Sequence, residues 1–274
     1  MAELESDGAT IHYEVNGVGD DAVVFVHGHP FNRTMWARQA EFAVQKGWRS
    51  VLFDLRGYGA SGKTTTPSFE FSQFSRDIQT LMDHLGISEA VLCGLSMGGQ
   101  IVMDCCGRMP ERVSGVVLAA TAPQAETPES CAERLAMADR LEDEGMDPYA
   151  EDALPKMLAR ESIAEMPDVA AYVLEMMRRT DPAGAAAAQR ARAGRPSYEP
   201  ALSKLKCPAL IVVGDQDAFT SRADANLMHD LVTGSDLLWL NGVGHMPNLE
   251  RATEFNEAMG ALLDRVSTRK EAVR

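Results

Sequence analysis

Short, unbroken apolar runs alternate along the chain with longer stretches whose apolar positions recur every three or four residues. AVVFV (22–26) has the character of a strand buried on both faces, and SVLFD (50–54), AVLCG (90–94), SGVVLAAT (114–121), PALIVVG (208–214) and DLLWLN (236–241) read as further strands. TIHYEV (10–15) alternates instead, as a strand with one wet face should. Residues 34–46, 70–85, 97–109, 222–233 and 250–266 carry helical periodicity, and Gly47, Gly86 and Pro110 are placed to stop the first three. This alternation predicts an α/β fold built on a mainly parallel sheet with helices on both faces.

Residues 123–200 break the pattern. They are rich in Ala, Met, Glu and Arg, and Met137, Met157, Met166, Met176 and Met177 offer adaptable apolar surface. The expectation is a helical insertion lying over the carboxyl edge of the sheet, where open α/β sheets bind ligands. A purely structural helical subdomain is the alternative. The division expected is therefore a core made of 1–122 and 201–266, a helical cap at 123–200, and a flexible tail, STRKEAVR, at 267–274.

Composition narrows the partners. Of 274 residues, 45% are hydrophobic, enough for a substantial core. Asp and Glu number 40 against 26 Lys and Arg, a net charge of −14 that repels nucleic acid and anionic lipid. The opening MAELESDG lacks a signal-peptide profile, and no apolar run approaches the ~18 residues of a membrane span. The five cysteines (Cys93, Cys105, Cys106, Cys131, Cys207) are odd in number and form no C-x-x-C pair. Neither a disulfide framework nor a metal site is suggested, and reduced thiols in a cytoplasmic protein are expected.

The chemistry centres on GLSMG (94–98). Ser96 sits where the strand 90–94 becomes the helix 97–109, a turn sharp enough to need small neighbours, and Gly94 and Gly98 supply them. A serine needs a base and an orienting acid to act as a nucleophile. His245, on the loop after strand 236–241, is the candidate base; His12, His84 and His229 lack that placement, and His27 is placed to brace its loop. GDQD after strand 208–214 offers Asp217 as the acid and Asp215 as a residue that bonds turn amides. The strand 114–121 has no carboxylate after it until Glu126. The backbone amides of Met97 and of His29, in HGHP (27–30), are the candidate oxyanion donors.

HGHP (27–30), DLRGYGASG (54–62), GLSMGG (94–99), GDQD (214–217) and GHMPNLE (244–250) together resemble the α/β-hydrolase superfamily in order and spacing, over nearly the whole chain. The resemblance implies a mostly parallel eight-stranded sheet flanked by helices, with 123–200 as cap and Asp54, Arg56 and Ser61 as loop braces. HGHPFNRTMW, GLSMGG and AAAAQRARAGRPS are most similar to 3-oxoadipate enol-lactonases, small-ester esterases and cofactor-free haloperoxidases. Ser96 argues against the epoxide hydrolase and haloalkane dehalogenase branches, which place an Asp there. The expected function is hydrolysis of a small to medium apolar ester or lactone by Ser96, Asp217 and His245, without a metal or organic cofactor. Phe31, Trp36, Met137, Met176, Phe219 and Met246 are the candidate pocket wall. The alternatives are C–C bond hydrolysis, perhydrolysis, or a ligand receptor without turnover. A homo-oligomer is compatible with the sequence.

Overall fold

A computed structural model describes residues 1–62 and 69–273. Its strands are β1 (Ala2–Ser6), β2 (Ala9–Asn16), β3 (Ala22–Val26), β4 (Arg49–Phe53), β5 (Ala90–Leu95), β6 (Val113–Ala119), β7 (Ala209–Gly214) and β8 (Asp236–Leu240). They form one sheet in the order β1-β2-β4-β3-β5-β6-β7-β8. β1 runs antiparallel to β2, and β2 antiparallel to β4; all other pairs are parallel.

The unbroken apolar runs follow from burial on both faces. Val24 and Val26 of β3, Leu92 of β5 and Ile211 and Val213 of β7 join the core on one face. Val23, Phe25, Val91, Cys93, Leu210 and Val212, one position out of step, join the core on the other.

Helices α1 (Ala37–Gln45), α2 (Ser72–His84) and α3 (Met97–Arg108) connect the first strands. α4 (Pro128–Glu144), α5 (Met146–Met157), α6 (Arg160–Glu165), α7 (Pro167–Arg178), α8 (Pro182–Ala193) and α9 (Glu199–Leu202) fall between β6 and β7. α10 (Arg222–Leu231) links β7 to β8, and α11 (Pro247–Glu250) and α12 (Ala252–Val273) follow. Among the described residues no helix is long and apolar enough to cross a membrane.

The segment between β6 and β7 is seated on the core by backbone contacts. Tyr198 N donates to Pro123 O (2.8 Å), drawing its two ends together. The Thr180 hydroxyl donates to Pro30 O at 2.7 Å. Gly184 lies so close to Gly57 that a Cβ there would sit 2.0 Å from the Gly57 carbonyl oxygen.

Two parts of the chain differ from the sequence expectation. β1 was not anticipated because AELES is polar and only Leu4 and Ser6 are buried; its place is held by the backbone ladder to β2. The signal present was Asp7-Gly8, whose φ values of 42° and 75° make the tight turn that joins the hairpin. The tail expected to fray from 267 instead continues α12 to Val273. Lys270 holds it there, its ammonium 2.6 Å from Asp21 and 3.1 Å from Glu89. Arg274 lies outside the described residues.

Candidate active site

The carboxyl ends of β3, β5, β7 and β8 bring the chemical residues to one edge. Ser96 has φ 56° and ψ −117°, a conformation that a non-glycine residue adopts only under constraint. The constraint is the tight packing of β5 on α3. A Cβ at Gly94 would lie 2.4 Å from Gly98 O, and one at Gly98 would lie 2.2 Å from Val26 O. The turn is pinned further by Ser96 N donating to Ala119 O (2.9 Å) and by the Thr121 hydroxyl donating to Ser96 O (2.8 Å). Met97 opens α3, where the first amides have no intrahelical acceptor. The 27–30 loop comes close beside it: a Cβ at Gly28 would be 2.9 Å from Leu95 O and 3.4 Å from the Ser96 Cβ.

His245 is 2% exposed, and its Nδ1 bonds Asp217 Oδ1 and Oδ2 at 2.9 and 3.0 Å. A carboxylate accepts only, so Nδ1 carries the proton and Nε2 is left with a free lone pair. Asp217 Oδ1 also accepts from Phe219 N (2.8 Å) and Thr220 N (3.2 Å). Burial pushes Asp217 up, but His245 and these amides outweigh it and hold the carboxyl below its ordinary value of 3.8. Asp215 Oδ1 instead accepts from Gly242 N at 2.7 Å, bracing the turn after β8. No hydrogen bond joins Ser96 Oγ to His245 among the described residues; both line one cavity of about 660 Å³.

The neighbouring loops are braced as the sequence suggested. His27 Nε2 accepts from Leu55 N (3.0 Å), so its Nδ1 donates to Gly28 O (2.9 Å). Asp54 accepts from Arg33 and Ala60 N, Arg56 pairs with Asp77, and Ser61 donates to Asp54 O. His84 and His229 bond Tyr13 and Ser235, and His12 lies 3.6 Å from Glu3, all away from the cavity.

The pocket wall needs correcting. Met137 and Phe219 line the cavity, and the Phe219 ring meets His245 edge-on at 4.7 Å. Phe31, Trp36, Met176 and Met246 are not among its lining residues. They are packed in the core: Trp36, for example, lies against Phe25 (5.6 Å) and Phe255 (5.8 Å). The wall is also far more polar than the methionines led one to expect, because Arg134, Arg192, Arg195, Gln100 and Gln189 face it. Gln189 and Arg192 are three apart on α8 and share its inward face, while Arg190 pairs with Asp139 and Glu142 of α4. Glu126 pairs with this cluster, 2.9 Å from Arg134 and 3.2 Å from Arg195. Burial, then Arg134 and Arg195, push Arg192 down to about 9.

His29 also lines the cavity. Its Nδ1 bonds the Tyr58 hydroxyl at 2.8 Å, and its buried Nε2 has no partner among the described residues. Burial, with Arg192 and Arg134 nearby, holds the ring well below 6.5, so it is neutral.

Sequence reading missed Glu250, the last residue of GHMPNLE. Its carboxylate is 3% exposed and accepts from Gly244 N (3.0 Å), Met246 N (3.3 Å) and Ala159 N (2.9 Å). It clasps the His245 loop on both sides and ties it to the α5–α6 junction.

Relatives of known activity share this frame. The 3-oxoadipate enol-lactonase 2 of Acinetobacter baylyi is 27% identical over 96% of both chains. The 2-hydroxy-6-oxononadienedioate/2-hydroxy-6-oxononatrienedioate hydrolase of Escherichia coli K12 is 26% identical over 93% of this chain and 91% of its own. A thermophilic esterase from Thermogutta terrifontis, solved with malate bound, superposes with a TM-score of 0.92 at 28% identity, covering 97% of this chain and 99% of the other. The family model described as alpha/beta hydrolase family matches residues 23–258, from β3 into the last helix and so across the Ser96, Asp217 and His245 positions. With the eight-stranded sheet and its nucleophile-type turn, that match shows that the chain belongs to the alpha/beta hydrolase family.

Proposed function

We propose that the protein hydrolyses a carboxylic ester or lactone through an acyl-enzyme on Ser96. The observation that carries this reading is the strained Ser96 turn sharing one cavity with a histidine whose Nδ1 is fixed by a buried carboxylate. Ser96 Oγ attacks the carbonyl carbon as its proton passes to His245 Nε2. Asp217 keeps the imidazole in the required tautomer and stabilises the imidazolium. The amides of Met97 and His29 receive the negative charge on the carbonyl oxygen, supported by the amino end of α3. His245 then protonates the leaving oxygen, and a water activated by the same nitrogen releases the acid. Residues 123–200 act as the lid over this edge. The cavity volume suits a small to medium substrate, and the enol-lactonase and esterase names among similar proteins support an ester-type bond.

The test is steady-state hydrolysis of p-nitrophenyl esters from acetate to octanoate, beside parallel lactone and diketone assays. Turnover that vanishes in Ser96→Ala is expected, with a fluorophosphonate labelling wild type only. Equal rates in wild type and Ser96→Ala would refute the assignment.

A further inference from the structure

We infer that the cavity beside Ser96 contains a subsite for a carboxylate carried by the substrate, formed by Arg192, Arg134 and the ring Nε2 of His29. The inference rests on the hydrolase reading of that cavity and names the class of acyl compound it takes. The first argument is charge. The protein carries −14 overall, yet the cavity wall holds Arg134, Lys156, Arg192 and Arg195. Glu126, Glu133 and Asp224 oppose them, an excess of one positive charge that a monoanion balances. The excess is concentrated inward, because Glu133 is exposed and Asp224 is engaged by Ser221 and Gln124.

The second argument is pairing. The guanidinium of Arg192 is oriented by Gln100 Oε1 at 3.1 Å, and that of Arg134 by Gln189 Oε1 at 3.2 Å. These neutral amides aim the two arginines; Arg134 is also paired with Glu126 at 2.9 Å, whereas the amide leaves the charge of Arg192 undischarged. Arg192 has no carboxylate partner among the described residues, an arrangement that is unfavourable unless a ligand supplies one.

The third argument is His29, 96% buried, with Nε2 unpartnered in the same wall. When the Tyr58 hydroxyl donates to Nδ1, the neutral ring carries its proton on Nε2 and presents a donor to the cavity. An anion selects that tautomer. Planar guanidiniums that offer paired donors suit the two oxygens of a carboxylate.

The experiment compares mono-p-nitrophenyl glutarate with p-nitrophenyl pentanoate, esters of matched length that differ by one terminal carboxylate. In wild type, kcat/KM should favour the glutarate ester. In Arg192→Gln that preference should fall about 10- to 100-fold, the worth of a charge-assisted hydrogen bond. Arg134→Gln, a side chain nearer the surface, should lower it in the same direction and guards against a misfolded first variant. Equal losses on both esters would overturn the proposal. Calorimetric titration of Ser96→Ala with glutarate reads the subsite without turnover: binding abolished by adding Arg192→Gln supports it, and no binding or unchanged binding overturns it. If Ser96 proves not to be the nucleophile, the calorimetry still decides whether the anion site exists.

Discussion

Glu250 offers a demanding test of how His245, the proposed base, is held. Its carboxylate receives three buried amides, two from the His245 loop and one from Ala159. In Glu250→Ala all three donors lose their acceptor. An orphaned buried donor costs about 1–3 kcal/mol, and such terms within one cluster do not add fully. A loss of about 4–5 kcal/mol is expected, a large share of the ~5–15 kcal/mol that stabilises a typical domain. Glu250→Gln retains one acceptor oxygen but turns an NH2 toward an amide N–H, so about 2–3 kcal/mol should be lost. Because the loop carries His245, a displacement on the order of 1 Å would also lower kcat about 100-fold. KM should change far less. Denaturant midpoints together with kcat and KM for the Gln variant decide the matter. A loss under about 1 kcal/mol with kcat unchanged would refute the view that this clasp positions the base.

Other consequences follow from the same geometry. Asp217→Asn should lower kcat about 10⁴-fold, because its oxygen stays with the Phe219 and Thr220 amides and its NH2 faces His245 Nδ1, favouring the wrong tautomer, whereas Asp215→Asn should act on stability through the Gly242 turn and leave most of kcat; equal kinetic losses would exchange their roles. The depressed carboxyl of Asp217 contributes stability above its unfolded value of about 3.9, and that contribution is lost as pH falls through the folded value. His29 adds an earlier phase: its folded form stays neutral while the unfolded chain takes up a proton below 6.5. Stability should therefore decline by up to about 1.4 kcal/mol per pH unit below that point, read as denaturant midpoints at pH 7.5 and 5, and His29→Gln should flatten the slope.

Much of this architecture is legible in the sequence because the relevant physics is local. Strands buried on both faces must be apolar throughout, so β3 to β7 announce themselves; β8, at the sheet edge, is apolar although only partly buried. Gly94 and Gly98 flank Ser96 because no side chain fits between β5 and α3 at Gly94 or between α3 and the end of β3 at Gly98, and GDQD and GHMPNLE follow their strands directly. What escaped depends on long-range placement. Nothing in AELES advertises that β2 is waiting beside it. Whether Trp36 faces a pocket or Phe255 is decided by elements more than 200 residues apart in sequence. The charge of the cavity was hidden in AAAAQRARAGRPS, where helical spacing alone does not say which arginines turn inward.

The clasp from Ala159 to Glu250, together with His245 N donating to Met157 O at 3.1 Å, has a consequence for recombining parts of this protein. Residues 157–159 belong by sequence to the helical insertion but serve mechanically as scaffold for the His245 loop. A chimera that exchanges the insertion wholesale would carry away part of the His245 loop's footing. A graft bounded instead to spare that junction would change what the cavity admits while keeping the imidazole in register.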